Sequence, residues 1–160
     1  MDKERARKLI EQHEGRRNRA YADTKGIMTI GIGFNLEQLS ARARIEALLV
    51  DYDALFDRRC ALTDPQIDQL FGSDLDTAVT EAAKLVPDFW NQPEDVQLAV
   101  VDMIFNLGGP RFSGFVKFIA ALKAKDYLTA AAEMADSKWA LVDVPNRAAN
   151  DIALVRGCAT

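Results

Sequence analysis

Histidine occurs once in the chain, at position 13, and cysteine twice, at positions 60 and 158. One histidine with no cysteine cluster beside it leaves almost no material for a transition-metal site or a Ser/His triad, so neither metal nor cofactor is expected. Two distant cysteines match no zinc or redox spacing and read as unlinked thiols of a reducing compartment, with a pairing left open. Long apolar runs are missing as well. A stretch such as Phe118 to Leu122 falls far short of the ~20 residues that a membrane span needs. An excess of base is also lacking: 24 acids against 20 bases give a net charge of −4, which argues against non-specific binding to nucleic acid or anionic lipid. The amino end, Met1-Asp2-Lys3-Glu4, alternates charges and has no apolar stretch of the secretory kind. A cytoplasmic location in the producing cell is therefore expected, with any exit provided by another agent.

What is present is 49% apolar and 28% charged residues over 160 positions, the make-up of one globular domain, expected to be a monomer. Charge is uneven. Residues 1–59 hold twelve bases and ten acids, whereas residues 60–160 hold eight and fourteen. Arg16, Arg17 and Arg19 form the densest basic cluster, either a solvated surface or a device that steers an anionic substrate.

Periodicity organises the chain. Ala6, Leu9, Ile10 and His13 recur at helical spacing over residues 3–14, and Gly15 supplies a left-handed stop. From Arg17 to Phe34 the pattern turns to β-branched residues around Asp23-Thr24-Lys25-Gly26, a small antiparallel hairpin. After Ser40 the chain reads as helical almost throughout. Thr63 and Gln66 form a capping box, with Pro65 in the first turn of a helix that runs towards Leu85 and stops before Pro87. From Pro93, Val96, Ala99, Val100, Met103, Ile104 and Leu107 make a stripe broad enough for a central buried helix, ended by Gly108 and Gly109. Further helices are expected over about 114–124, 127–137 and 146–155.

Glu14 is the residue whose placement is hardest to explain structurally. It closes the first helix, where the helix's partial negative charge disfavours a second one, so the position favours the protonated form that a general acid needs. Nine residues on, Asp23 opens the hairpin turn, an ordinary place for aspartate, and Thr29 taken alone is an ordinary strand residue. His13 reads as a surface or boundary residue.

The joint pattern says more. Glu14, then Asp23-Thr24-Lys25-Gly26, then Thr29-Ile30-Gly31-Ile32-Gly33 resembles the catalytic stretch of the phage-type lysozymes, or endolysins, a family of glycoside hydrolases. Met103 to Gly108 resembles the family's central helix and Ser113-Gly114-Phe115 its following turn. Ser137-Lys138-Trp139 with Val144-Pro145-Asn146-Arg147 resembles its terminal block.

The resemblance covers nearly the whole chain. It implies an α+β, mainly α fold in a single lysozyme-like domain: a small β-containing lobe over about 15–60, and a larger helical lobe over 61–160 together with helix 1–14. The lobes would wall a cleft for an extended glycan. It implies hydrolysis of the bond between N-acetylmuramic acid and N-acetylglucosamine in bacterial peptidoglycan. Glu14 would protonate the leaving oxygen while Asp23 and Thr29 hold a water on the opposite face, an inverting arrangement. Arg147 matches the arginine that orients the catalytic acid, and Asn35, Phe105 and Asn106 are the candidate substrate-binding positions.

Departures are visible too. Phe34 stands where most relatives carry a histidine that makes an ion pair, and Asn35, Phe118 and Glu133 differ from the residues usual at glycan-contacting positions. The acidic balance predicts weaker adsorption to an anionic wall than that of basic relatives. Two other classes compete with an enzyme. A lysozyme-fold peptidoglycan-binding module without catalysis would have no need for an acid at an unfavourable helix end. A helical interaction protein would have no need for a glycine-rich hairpin.

Overall fold

A computed structural model of the chain describes residues 1–159. It is mainly helical with one small sheet, the α+β, mainly α class expected. The chain divides into two compact units, a sheet unit of Glu11–Asp74 and a helical unit of Met1–Ile10 with Leu75 onward. No helix among the described residues is long and apolar enough to cross a membrane, and neither cysteine is in a disulfide.

The sheet unit opens with the end of helix α1 (Lys3–Glu14). Gly15 has φ +73, the left-handed stop expected of it. Strands β1 (Arg17–Ala22), β2 (Met28–Gly31) and β3 (Phe34–Asn35) follow in antiparallel order β1-β2-β3. Tyr21 lies opposite Thr29 on one side of β2, and Asn35 lies opposite Thr29 on the other. The expected two-stranded hairpin thus has a third strand, which is too short for a period-two pattern to reveal. Short helices α2 (Ala41–Glu46) and α3 (Tyr52–Phe56) lead to α4 (Asp64–Leu85). Its start is the reciprocal box read from sequence: Thr63 N–H donates to Gln66 Oε1 at 2.9 Å, and Gln66 N–H donates to Thr63 Oγ1 at 3.4 Å.

In the helical unit, α5 (Glu94–Leu107) buries every residue from Val96 to Ile104, as its broad apolar stripe required. Gly108 ends it. Gly109 does not help to stop α5 but opens a new helix, α6 (Gly109–Phe112). Its N–H donates to a Glu81 carboxylate oxygen at 3.0 Å, an acceptor that suits a helix start. Helices α7 (Val116–Lys123) and α8 (Tyr127–Ala135), a π-helical turn over Trp139–Asp143, and α9 (Pro145–Gly157) complete the unit. Phe112 and Phe118 meet edge to face, 6.1 Å between centroids, a geometry that aromatic rings prefer.

Candidate functional site

Three of the residues singled out by sequence, Glu14, Asp23 and Thr29, fall in the sheet unit and are tied to one another's surroundings. Glu14 closes α1, half-buried, with its carboxyl over Gly33. A Cβ built on Gly33 would lie 2.8 Å from Glu14 Oε2 and 2.9 Å from its carboxyl carbon, and Gly33 has φ +67. Both facts demand glycine: the backbone is left-handed, and the carboxyl occupies the space where any other residue would carry its side chain. The turn between β2 and β3 is therefore a seat for the Glu14 carboxyl.

Asp23 and Thr29 both bind the peptide groups of Ile27. Asp23 Oδ1 accepts from Lys25 N–H at 2.8 Å and from Ile27 N–H at 2.9 Å, so one carboxylate oxygen closes the turn while Oδ2 takes no part in it. Thr29, 6% exposed, donates its Oγ1–H to the Ile27 carbonyl at 3.0 Å, which turns the oxygen's lone pairs away from that carbonyl. Tyr21, paired with Thr29 across the ladder, connects these groups electrically. Its phenol is pushed above the ordinary range by burial and then by the Glu14 charge, with Asp23 adding to the shift and Arg17 opposing it. Sequence reasoning misses Tyr21 as a member of the site. Its position eight residues before Thr29 across a tight turn is the signal that could have found it. Asn35, opposite Thr29 on β3, spends its Oδ1 on the backbone N–H of Glu37 at 2.7 Å.

The other candidates belong to the helical unit. Asn106 Oδ1 accepts from the Trp139 indole at 2.9 Å, Phe105 is half-buried on α5, and Arg147 is buried at the start of α9 with Asp102 as a partner. Phe118 and Glu133, two of the departures from the family's usual residues, help line a pocket of about 550 Å³ with Arg111, Phe115 and Ser137.

Phe34, where the resemblance leads to the expectation of an ion-pairing histidine, is buried beneath a cation. The Arg44 guanidinium lies 4.7 Å from the centre of its ring, and Arg44 also pairs with Asp74 at 2.7 Å. The ion pair beside that ring joins Arg44 of α2 to Asp74 and does not involve position 34. The basic cluster also resolves into separate roles. Arg16 contacts Glu11 and Asp68 at 2.7 Å each and Asp64 at 3.4 Å, a network within the sheet unit. Arg17 stacks on Tyr21 with its guanidinium 4.6 Å from the ring centre, and Arg19 donates to the Arg58 carbonyl.

This site, an acid seated on a glycine turn with an aspartate and a threonine hinged on the N–H and the carbonyl of one residue, lies within a sequence match to the phage lysozyme family that spans residues 11–149. The chain belongs to that family. Relatives include probable T4-type lysozyme 1 of Dictyostelium discoideum, 25% identical over an aligned length of 155 residues, gaps included, that covers 92% of this chain and 91% of the relative. Probable T4-type lysozyme 2 of the same organism is 24% identical over 139 residues, 82% of each chain. The fold and the family thus agree with what the two ends of the sequence resembled, and lysozymes are glycoside hydrolases.

Proposed function

We propose that this phage lysozyme family member is an active endolysin that cleaves the β-1,4 bond between N-acetylmuramic acid and N-acetylglucosamine in peptidoglycan. The observation that carries the reading is the seat of Glu14: a carboxyl at a helix end, held against a turn that admits only glycine. A group that donates a proton in the transition state needs such fixed placement more than it needs strong binding. Glu14 protonates the glycosidic oxygen as the bond to the anomeric carbon breaks. Asp23 Oδ2, left over from the turn, takes a proton from the attacking water, and Thr29 Oγ accepts that water's other hydrogen and fixes its direction.

Two groups holding one water suit a single inverting displacement, in which no glycosyl–enzyme bond forms. In this reading Arg147 orients the catalytic acid, and Asn35, Phe105 and Asn106 contact the glycan. The protein acts as a monomer, without metal or cofactor. It stays in the cytoplasm of the producing cell until another agent opens the way to the wall.

Clearing of chloroform-treated Gram-negative cells, followed by proton NMR of freshly released muramyl ends, tests the reading. Clearing with first appearance of the α-anomer is expected. First appearance of the β-anomer would make Asp23 a nucleophile, and binding to walls without clearing would leave a glycan-recognising module.

A further inference from the structure

Helices α5 and α9 of the helical unit bury three ionisable side chains, two of which, Asp102 and Asp151, the sequence reading did not single out. Asp102 on α5 and Asp151 on α9 are both 0% exposed, and Arg147, one turn before Asp151 on the same face of α9, is 6% exposed. Arg147 grips Asp102 with both prongs of its fork: Nε to Oδ2 at 2.7 Å and Nη2 to Oδ1 at 2.8 Å. Asp151 stands beside this pair without sharing in it. Neither of its carboxyl oxygens accepts a hydrogen bond, and the group that faces it closely enough to act on it by both charge and hydrogen bond is the carboxyl of Asp102.

An ionised carboxylate in that position would be fully desolvated, without a donor, and next to a like charge, a combination that strongly favours the neutral acid. A neutral carboxylic acid is itself a donor, and the acceptor it faces is already oriented by Arg147. We propose that Asp151 retains a proton and donates it to Asp102, so that the two carboxyls share one negative charge and together position Arg147.

The surrounding charges agree. Burial raises Asp151 well above the ordinary carboxylate range, and the charge of Asp102 and the bond to it add to the rise, with Arg147 opposing. The elements packed on α9 also carry Asp95 on α5, Glu133 on α8 and Asp143 in the π-helical turn, while Arg156 and Cys158 lie at the end of α9 itself. Only Asp102 and Arg147 act on Asp151 among these. The consequence for stability has a definite sign. Below the unfolded value of about 4 both states hold the proton and nothing is lost. Above it the unfolded chain releases the proton while the folded chain keeps it, so folding weakens as pH rises through the folded value.

Asp151→Asn keeps the shape and an N–H donor towards Asp102 but cannot ionise. The wild type's unfolding equilibrium constant, relative to that of Asp151→Asn, should therefore rise at least ~100-fold between pH 4 and pH 8, because a folded carboxyl that still holds its proton at pH 7 binds it roughly 1,000-fold more tightly than the unfolded one with its value of about 4. Carbon-13 NMR of aspartate-labelled wild type should show Asp151 protonated at pH 7, a measurement that needs no variant to fold. The Arg147 Nε–H resonance should persist in Asp151→Asn and broaden or disappear in Asp151→Leu, which has no donor. Ionised Asp151 at pH 7, parallel stability profiles, or an unchanged Arg147 signal in Asp151→Leu would overturn the proposal. None of these measurements uses lysis, so the outcome is independent of whether the proposed hydrolysis is correct.

Discussion

The two units solve opposite problems with charge. In the sheet unit the ion pairs keep partial access to water: Arg16 with Glu11, Asp64 and Asp68, and Arg42 with Asp53 at 2.7 Å. Glu14, Asp23 and Thr29 are held by turns and backbone groups, not by a deep core. In the helical unit α5 is apolar on nearly all sides beyond its first turn, and its one buried ionisable residue, Asp102, is sealed against Arg147 and Asp151. The comparison suggests a division of labour. Stability is concentrated where packing is dense, and the chemistry proposed for Glu14, Asp23 and Thr29 falls where a few backbone constraints fix direction without removing water from the acids.

The comparison is sharpest in core substitutions. Met103 is fully buried on α5, and Met103→Ala should cost about 3 kcal/mol through lost contacts and the cavity left behind. That corresponds to a fall in melting temperature of roughly 6–12 °C for a chain of this size. Lysis per folded molecule, assayed well below the transition, should be unchanged. A large loss of specific activity there would show that the two tasks are not divided.

The reverse experiment is Glu14→Gln. It preserves volume and removes the proton, so the lytic rate should fall at least ~100-fold, while calorimetry finds a melting temperature close to wild type. Retained lysis would remove Glu14 from the proposed mechanism. Destabilisation comparable to that of Met103→Ala would mean that the seat on Gly33 is a packing contact first.

Gly33 itself separates strain from contact. Gly33→Ala forces a Cβ to within 2.8 Å of Glu14 Oε2 at a backbone φ of +67. The left-handed strain costs about 1–2 kcal/mol, and displacement of the carboxyl should lower lysis by roughly 10- to 100-fold. Gly26→Ala carries the same kind of strain, φ +80, with nothing within 4 Å of the new Cβ. It should lose similar stability and keep its lysis. Equal lysis in the two variants would break the link between the turn and the acid.

Much of the sheet unit was legible because its determinants are close in sequence. A helix-stopping glycine follows Glu14, a turn-opening aspartate bonds residues two and four positions on, and Thr63 and Gln66 cap a helix three residues apart. Composition and spacing speak directly to contacts of that range. The third strand was not legible, since Phe34 and Asn35 take their ladder from the neighbouring strand and not from any pattern of their own. Nor was Gly109, whose helix start depends on Glu81, 28 residues earlier. The Asp102–Arg147–Asp151 cluster joins residues 45 and more positions apart. Asp102 is not among the positions of the apolar stripe read from sequence, and nothing in its neighbours' spacing marks it. Arg147 did stand out, but by resemblance, and its bond to Asp102 was not part of that resemblance.

The smallest expected effect concerns the arginine cluster, which sequence treated as one feature and the structure divides. Arg16 is committed to Glu11, Asp64 and Asp68, and the hydrogen bonds to Glu11 and Asp68 raise its already high affinity for a proton further. Arg16→Ser should therefore cost about 1 kcal/mol, the upper end for a partly exposed network. The cost should shrink as salt screens the charges, while the dependence of lysis on ionic strength stays as in wild type. Arg17 and Arg19 are exposed and spend their guanidinium groups on a ring and a carbonyl, neither of which cancels their charge. The double variant Arg17→Ser, Arg19→Ser should leave stability nearly unchanged and flatten the salt dependence of lysis, because an anionic wall meets those two charges and not the one already neutralised. Lysis and melting curves measured over a salt series decide between the roles. A flattened lysis profile in Arg16→Ser, with none in the double variant, would reverse the assignment and make the network the steering element.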